Sequence, residues 1–512
     1  MALPGRLTRR QALQAGGTGA LALGLGACND DLDPRVSHAS DAPNTLLIVT
    51  DSTRRDFVSA YDDVDELANT PNLKALSKES ILFDHAVPEA MPTGTVRRAL
   101  ITGMRSFPFR NWTLTPALPQ EPGWNDIYPY QPMFTDVMGE AGIETAYVTD
   151  NPFLVGPRFV DFRRTLNMAR PDYSQGSYRA FNRPFKRPAP RSAVERYLFP
   201  KLSDSIEVQR LRDYVGWNNL YRRRESDYSA ARVIRSGMDV LDDLKDKQPF
   251  FLGVDSFDPH ESLDPPRVYM TKFARVKGSE KQGIVPIQPW DTPYSRVIDL
   301  GIDEETVERV RELYAAELTF VDRWIGRLLN KMDDLKLLDN TAVMYLSDHG
   351  LTLGEYGILG KHAAYPNWPI YRVPYMIRPP GGRPSDIDAR SGYYASTHDV
   401  ASTLLGFMGI RAPGLMDGED LSRLFQKKTP YDERPYFTAA YARYLICGDA
   451  RWLLITHSEN KRIRLFDRQS DPEEIVNVAD QNPEVVARLR RVLEDEAGGT
   501  LPQFGDEGVI GG

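Results

Sequence analysis

Residues 347–362 read Ser-Asp-His-Gly-Leu-Thr-Leu-Gly-Glu-Tyr-Gly-Ile-Leu-Gly-Lys-His. Asp348-His349 pairs a hard oxygen donor with an imidazole nitrogen, a combination suited to a divalent cation. Lys361-His362 pairs an ammonium with a second imidazole, which suits an anion. The chain has seven histidines, and two of them fall in this one stretch. A nucleophile candidate lies upstream, at Thr93 in Pro88–Gly103. A short helix is expected from about Gly94 to a stop at Gly103, with Thr93 placed to cap it. Its first turn would offer unpaired N–H groups to a phosphate or sulfate, and Arg97, one turn in, would add a charge-assisted bond. From these residues alone, Thr93 reads equally well as a simple cap.

The elements that must position these groups are apolar runs ending in aspartate. Leu46–Thr50 stops at Asp51, Thr145–Thr149 at Asp150 and Phe250–Val254 at Asp255; Ala342–Leu346 leads into Asp348. Asp258-Pro259-His260 follows the third run closely. Such runs, separated by helix-length segments, predict an α/β fold with a large mixed, mostly parallel sheet sandwiched by helices. Ligands in such folds bind beyond the carboxyl ends of the strands. Asp51 and Asp348 are therefore read as site residues, and Asp150 as a helix cap or turn residue. Glu305–Leu338 is expected to be a long helix whose stripe of Leu313, Leu318, Val321, Ile325, Leu328 and Leu329 packs in the core. A catalytic domain is expected over 44–412. Strand-like runs at Tyr436–Thr438, Tyr444–Cys447, Arg451–Thr456 and Ile463–Phe466, and a helix near Pro483–Ala497, predict a small antiparallel-sheet subdomain over 413–500, with a loose tail at 501–512.

Composition narrows the class. With 512 residues, 41% apolar content and a net charge of −8, the chain can bury a large core and presents no basic face for nucleic acid. The Arg- and Pro-rich segment Arg179–Arg191 reads as a solvated loop. Thr8-Arg9-Arg10-Gln11-Ala12-Leu13, followed by a Gly/Ala/Leu stretch too short to span a membrane, reads as a twin-arginine export signal. Leu25-Gly26-Ala27-Cys28 then has the form of a lipobox, with acylation at Cys28, and residues 29–43 form a tether. The alternative is an ordinary signal peptide with a coincidental cysteine. The expected location is the outer face of the bacterial cytoplasmic membrane or the periplasm. A lipidated Cys28 would leave Cys447 with no intrachain disulfide partner.

Six segments together resemble the sulfatase family of the alkaline-phosphatase superfamily: Leu46–Asp51 with Ser52, Asn69–Leu76, Thr93–Gly103, Val254–Pro266, Glu317–Arg323 and 347–362. The resemblance implies a metal-dependent hydrolase or transferase of sulfate or phosphate esters. It makes Asp51, Asp348 and His349 metal ligands and Thr93 the nucleophile, its oxygen also at the metal. Arg97 would steady Thr93 or the substrate oxyanion; His260, Lys361 and His362 would bind the transferred group or protonate the leaving oxygen. Two departures matter. Sulfatases mature a Cys or Ser to formylglycine within Cys/Ser-x-Pro-x-Arg, whereas Thr93 is a secondary alcohol, and Thr95 stands where that motif has proline. Ser52 replaces a frequent second metal-binding Asp. The expectation is a phosphodiesterase or phosphoryl transferase using a covalent Thr93 intermediate and one divalent metal. Manganese or zinc is favoured, with magnesium or calcium as alternatives. The alternatives in function are a sulfuric ester hydrolase lacking formylglycine and a non-catalytic anion-binding surface lipoprotein. The expected partner is an anionic ester, such as a cell-envelope or extracellular glycan or lipid, and the sequence leaves the oligomeric state open.

Overall fold

The computed structural model describes residues 41–109, 112–113, 122–156, 159–172, 187–194, 206–275, 301–426, 434–459, 461–505 and 508–511. The export signal, Cys28 and nearly all of the tether fall outside the described residues, as does most of Arg179–Arg191.

The apolar runs become the centre of one sheet. Its strands are β1 (Asn44–Thr50) and β2 (Ile81–Phe83), with β3 (Ala90–Met91) belonging elsewhere, then β4 (Glu144–Thr149), β5 (Met168–Pro171), β6 (Phe250–Ser256) and β7 (Thr341–Ser347). A two-strand hairpin, β8 (Thr352–Leu353) and β9 (Leu359–Gly360), precedes β10 (Tyr375–Arg378) and β11 (Arg390–Ser391). The eight-stranded order is β11-β2-β10-β7-β1-β6-β4-β5, and β10 alone runs against its neighbours. The expected mixed, mostly parallel sheet is the one observed.

Alternation within the central strands divides the core between two faces, because successive side chains point to opposite sides. Leu46 and Ile48 face one cluster, built with helices α1 (Pro71–Ser77), α4 (Ser229–Leu244) and α5 (Glu304–Asp334). Leu47 and Val49 face the other, built with α2 (Thr93–Thr102), α3 (Phe134–Glu140) and α6 (Asp399–Phe407). The stripe of α5 is buried as expected except at half-buried Leu329. The helix ends at Asp334 rather than Leu338, and Lys336 beyond it turns to a positive φ of 58°.

Two of the motif segments meet across the fold. Asp322 of α5 accepts the backbone N–H groups of Asn72 (3.1 Å) and Leu73 (2.8 Å) and the Asn72 side-chain amide (2.7 Å). A distant carboxylate thus does the work of an N-cap for α1, satisfying N–H groups that a helix start leaves unpaired.

The second sheet has the order β15-β14-β13-β12-β3, with β12 (Phe437–Tyr441), β13 (Tyr444–Gly448), β14 (Trp452–His457) and β15 (Arg464–Asp467). Helix α7 (Pro483–Glu496) packs on β13 and β14 through Leu489 and Leu493. This sheet is not wholly C-terminal. Its edge strand β3, parallel to β12, comes from the two residues just ahead of Pro92 and Thr93. The nucleophile candidate is thereby tied to both sheets.

Candidate active site

Asp51 follows β1, and Asp348-His349 follows the adjacent parallel strand β7, so three ligand residues arrive at one sheet edge. One ligand atom from each residue can be chosen with all three within 4.8 Å of one another. His349 Nδ1 lies 2.9 Å from the Gly350 carbonyl oxygen and so carries the hydrogen. That leaves the Nε2 lone pair facing Asp348 Oδ2 (3.5 Å) and Asp51 Oδ1 (3.9 Å). Asp348 Oδ1 accepts from the backbone N–H groups of Ser52 (2.9 Å) and His349 (2.8 Å), while its buried Oδ2 makes no hydrogen bond and is ion-paired with Arg97 at 2.9 Å. Two carboxylates and an oriented imidazole lone pair within reach of one point fit a divalent cation.

Ser52 occupies the position of the missing carboxylate in an unusual conformation, with φ of 61°. A positive φ at a non-glycine residue is uncommon and marks a constrained point. It turns the Ser52 N–H to Asp348 and lets its hydroxyl donate to Asp51 Oδ1 at 2.8 Å.

The two carboxylates have different acidities. Burial and the nearby charge of Asp348 push the Asp51 carboxyl well above the carboxylate range, against the pull of Arg97 and Lys361. Asp348 is held at about 2 despite burial, by His349, Arg97 and the hydrogen bonds it accepts. Below the raised pKa of Asp51, a cation arriving at this pair must displace its proton. Because Asp51 is protonated below its raised pKa, apparent cation affinity is expected to fall about tenfold per pH unit there. Calorimetry in buffers of different ionisation enthalpy should detect about one proton released per cation bound. Cation binding with no proton release on the acid side would contradict this assignment.

Thr93 is the first residue of α2 rather than its cap. Pro92 occupies the N-cap position, and the Thr93 hydroxyl, freed from capping, lies 3.1 Å from His349 Nε2. The predicted stop is present: Gly103 takes φ of 63°, and its N–H bonds the Ala99 carbonyl. Asp150 does not cap either. Asn151 caps the turn at Pro152–Val155, and Asp150 instead accepts from Phe257 N at 2.7 Å.

Arg97, expected to steady the nucleophile or the incoming anion, is held by the carboxylates of the cluster. Its fully buried guanidinium makes two 2.8 Å bonds to Asp255, lies 2.9 Å from Asp348 Oδ2 and 3.7 Å from Asp51 Oδ2. It neutralises the carboxylate cluster from beneath. Asp255 is not beyond its strand but inside β6, where Tyr147 also donates to it at 3.0 Å. The Tyr147 ring lies so close over Gly253 that a Cβ there would fall 2.2 Å from it. Glycine at 253 is what allows Tyr147 to reach Asp255.

The β8–β9 hairpin folds the chain back after His349 and returns Lys361 to the cluster, 3.3 Å from Ser52 Oγ. His260 is buried and stacked on Phe257, with ring centroids 4.1 Å apart. Its Nδ1 lies 2.8 Å from the Glu261 carbonyl and 3.2 Å from Glu261 Oε2, and the same carboxylate is 4.0 Å from Lys361 Nζ. Glu261 thus links the two groups, a role that its sequence position beside His260 did not reveal. Glu261→Gln keeps an acceptor for Nδ1 but removes the charge; it is expected to lower kcat about tenfold with KM changed less, as for loss of one charge-assisted bond. An unaltered kcat would show that the contact is incidental.

His362 departs from expectation. Its Nδ1 accepts from the Ala364 N–H at 3.1 Å, and burial together with the charge of Arg462 lowers its pKa to about 4. It is therefore neutral near pH 7 and poorly suited to be the general acid. His398, ahead of α6, lines a separate cavity with Arg105 and Arg434.

This geometry defines a hydrolase-type site at the edge of an α/β sheet, and the chain belongs to the sulfatase family. The family's model, Sulfatase, matches residues 43–410, and the model described as N-sulphoglucosamine sulphohydrolase, C-terminal, matches 354–498. An arylsulfatase of Clostridium perfringens is 23% identical over 507 residues, covering 91% of this chain and 96% of that one. The structure of BT4656 with its substrate D-glucosamine-2-N,6-O-disulfate aligns with a TM-score of 0.64 at 19% identity, over 90% of this chain and 98% of that one. The phosphonate monoester hydrolase of Agrobacterium radiobacter gives 0.66 at 17% identity, over 92% and 99%. The fold is that of the sulfatase and alkaline-phosphatase-like enzymes, and the chain is a hydrolase of sulfuric or phosphorus esters. The named relatives support the sulfuric-ester alternative better than the phosphate reading.

Proposed function

We propose that the chain cleaves a phosphorus ester, a phosphodiester or phosphonate monoester, through a covalent intermediate on Thr93. The carrying observation is the Thr93 hydroxyl 3.1 Å from His349 Nε2 beside Asp51 and Asp348. A secondary alcohol cannot become the formylglycine aldehyde, so in this reading Thr93 acts as an oxygen nucleophile in its own right. A phosphoryl-threonine can be opened by water at phosphorus, which regenerates the alcohol.

Asp51, Asp348 and His349 would hold one divalent cation. Their mixed oxygen and nitrogen set favours manganese or zinc, and the cation would lower the pKa of the Thr93 hydroxyl and neutralise a substrate oxygen. The protein's own groups do the rest. Lys361 Nζ stabilises charge on the transferred group. His260, with Nδ1 turned to Glu261, delivers a proton from Nε2 to the leaving oxygen as the ester bond breaks, and takes one from the water that later attacks. Glu261 offers an opposite charge to the imidazolium.

The second reading, sulfuric ester hydrolysis at the same Thr93, is favoured by relatives named as sulfatases. Manganese- or zinc-loaded protein assayed with matched aryl phosphodiester, phosphonate, phosphomonoester and sulfate substrates separates the two. Turnover of the sulfate alone would overturn the phosphorus reading, and no turnover of any ester would favour an anion-binding lipoprotein. A charged glycan is the substrate class we favour, since BT4656 is named with a disulfated glucosamine and another relative as an ulvan-active sulfatase. We also propose twin-arginine export and anchoring at Cys28. Incorporation of labelled fatty acid that survives in Cys28→Ala would refute the anchor. No helix among the described residues is long and apolar enough to cross a membrane.

A further inference from the structure

The sheet edge that carries the metal ligands also carries a second polar cavity. Asp84 and His85 follow β2, and Arg372 lies three positions before the first residue of β10. Tyr375 of β10 is in register with Leu346 near the end of β7, and Met376 with Leu82 of β2. Arg372, Asp84 and His85 therefore emerge on the same side of the sheet as Asp51 and Asp348. Strand β2 is three places from β1 and two from β7. At about 4.8 Å per strand, Asp84 and His85 are offset from the metal ligands by about 10–14 Å across the sheet.

Its volume is about 210 Å³, and its charged lining comprises Arg55, Arg372 and Arg468 against the single carboxylate of Asp84, with His85 beside them. Arg55 and Arg372 each face a carboxylate, and Arg468 has none within ion-pair distance among the described residues, so its charge is the one left in the cavity. Arg55 reaches Asp63 and the Asp84 carbonyl. Arg468 reaches the carbonyl of Asp449, whose carboxylate is already paired with Arg488. Arg372 is 3.7 Å from Glu474, and Asp84 is shared with Arg390. The Nε atoms of Arg55 and Arg468 are buried and make no hydrogen bond among the described residues. Partial burial and the guanidiniums of Arg468, Arg55 and Arg372 lower the pKa of His85 against the pull of Asp84, as a positive field would. Those Nε atoms are closed off from the cavity, so it is the clustering of three guanidinium groups around one cavity that suits an oxyanion.

We propose that Arg55, Arg372 and Arg468 form a second oxyanion pocket, which holds a sulfate, phosphate or carboxylate group borne by the substrate away from its scissile ester. The substrate role rests on the ester-hydrolysis reading; the anion-binding role does not. It gives the substrate a defined chemistry, with two anionic groups separated by about 10–14 Å, the distance of two to three strands. In a charged glycan that corresponds to groups on different sugar residues.

Two measurements test the proposal separately. Calorimetric titration of the full-length Lys361→Ala protein with sodium sulfate is expected to show a bound sulfate. Adding Arg372→Gln and Arg468→Gln should weaken it at least about tenfold, the value of one charge-assisted bond. Arg468→Lys alone should retain it, which controls for folding. Sulfate affinity unchanged by the two glutamine substitutions would overturn the pocket. In the second measurement, kcat/KM is compared for an ester with a distal sulfate and for one without it. The ratio between the two is expected to drop about tenfold in Arg372→Gln/Arg468→Gln, and an unchanged ratio would overturn the substrate role. The titration needs no turnover, so failure of the ester-hydrolysis reading would appear as inactivity with sulfate binding intact.

Discussion

Thr93→Ala is expected to lower turnover by on the order of 10³-fold or more, because it removes the atom that forms the covalent bond. Its effect on folding should be small. Thr93 sits at the first position of α2, where alanine is well tolerated, and Pro92 rather than Thr93 occupies the cap. The lost methyl and hydroxyl of this buried residue should cost about 1 kcal/mol. Cation binding should survive with reduced affinity, since Asp51, Asp348 and His349 are untouched and only the Thr93 oxygen is lost. The informative pattern is therefore inactivity with a nearly unchanged denaturation midpoint and a cation titration that still saturates. Thr93→Ser should retain part of the activity, since it keeps an alcohol. Full activity in Thr93→Ala would remove the nucleophile from the mechanism.

Asp348→Asn is expected to have an effect on activity of similar size for a different reason. Asn can still accept from Ser52 N and His349 N through Oδ1, so the local backbone should hold. What it loses is the charge facing the cation and Arg97. Changes one shell out from a metal commonly cost 10–100-fold in affinity, so loss of a direct carboxylate should exceed about 100-fold. The buried Arg97 also loses a counter-charge 2.9 Å away, a change that can cost about 3 kcal/mol. Part of this is offset. Without the neighbouring Asp348 charge, one of the forces that push Asp51 up disappears, and Asp51 can ionise opposite Arg97. Stability should therefore fall by less than that figure, while cation binding and turnover collapse together. Metal titration alongside urea denaturation reads both. Retained cation affinity would show that Asp348 is not a ligand.

Much of the scaffold was legible because buried parallel strands leave continuous apolar runs, and four such runs ended in aspartate. The side-chain types that gather at the sheet edge followed from that topology. Less legible was anything set by a single long-range contact. Arg97 pairs with Asp255, a residue 158 positions later, and no local pattern distinguishes an arginine that binds substrate from one that neutralises carboxylates. Strand β3 is two residues long, too short for any periodicity, so its pairing with β12 could not be anticipated. Thr93 carried a signal for a helix start, but the same signal fits a cap and a first-turn residue, and with Pro92 at the N-cap it is the latter. His362 has the residue type of an acid–base group, but its acidity is decided by burial and by Arg462, one hundred residues away. Glu261 was visible only as a neighbour of His260, because its second contact, Lys361, arrives on a returning hairpin.

The most direct test of the central claim is to trap the intermediate. Metal-loaded protein mixed with an activated aryl phosphodiester or phosphonate, quenched in acid within the first turnovers and digested, should yield a phosphorus adduct on the peptide carrying Thr93. The adduct should be absent from Thr93→Ala. Turnover of the same ester with the Thr93 peptide unmodified and the adduct on another residue would contradict the account.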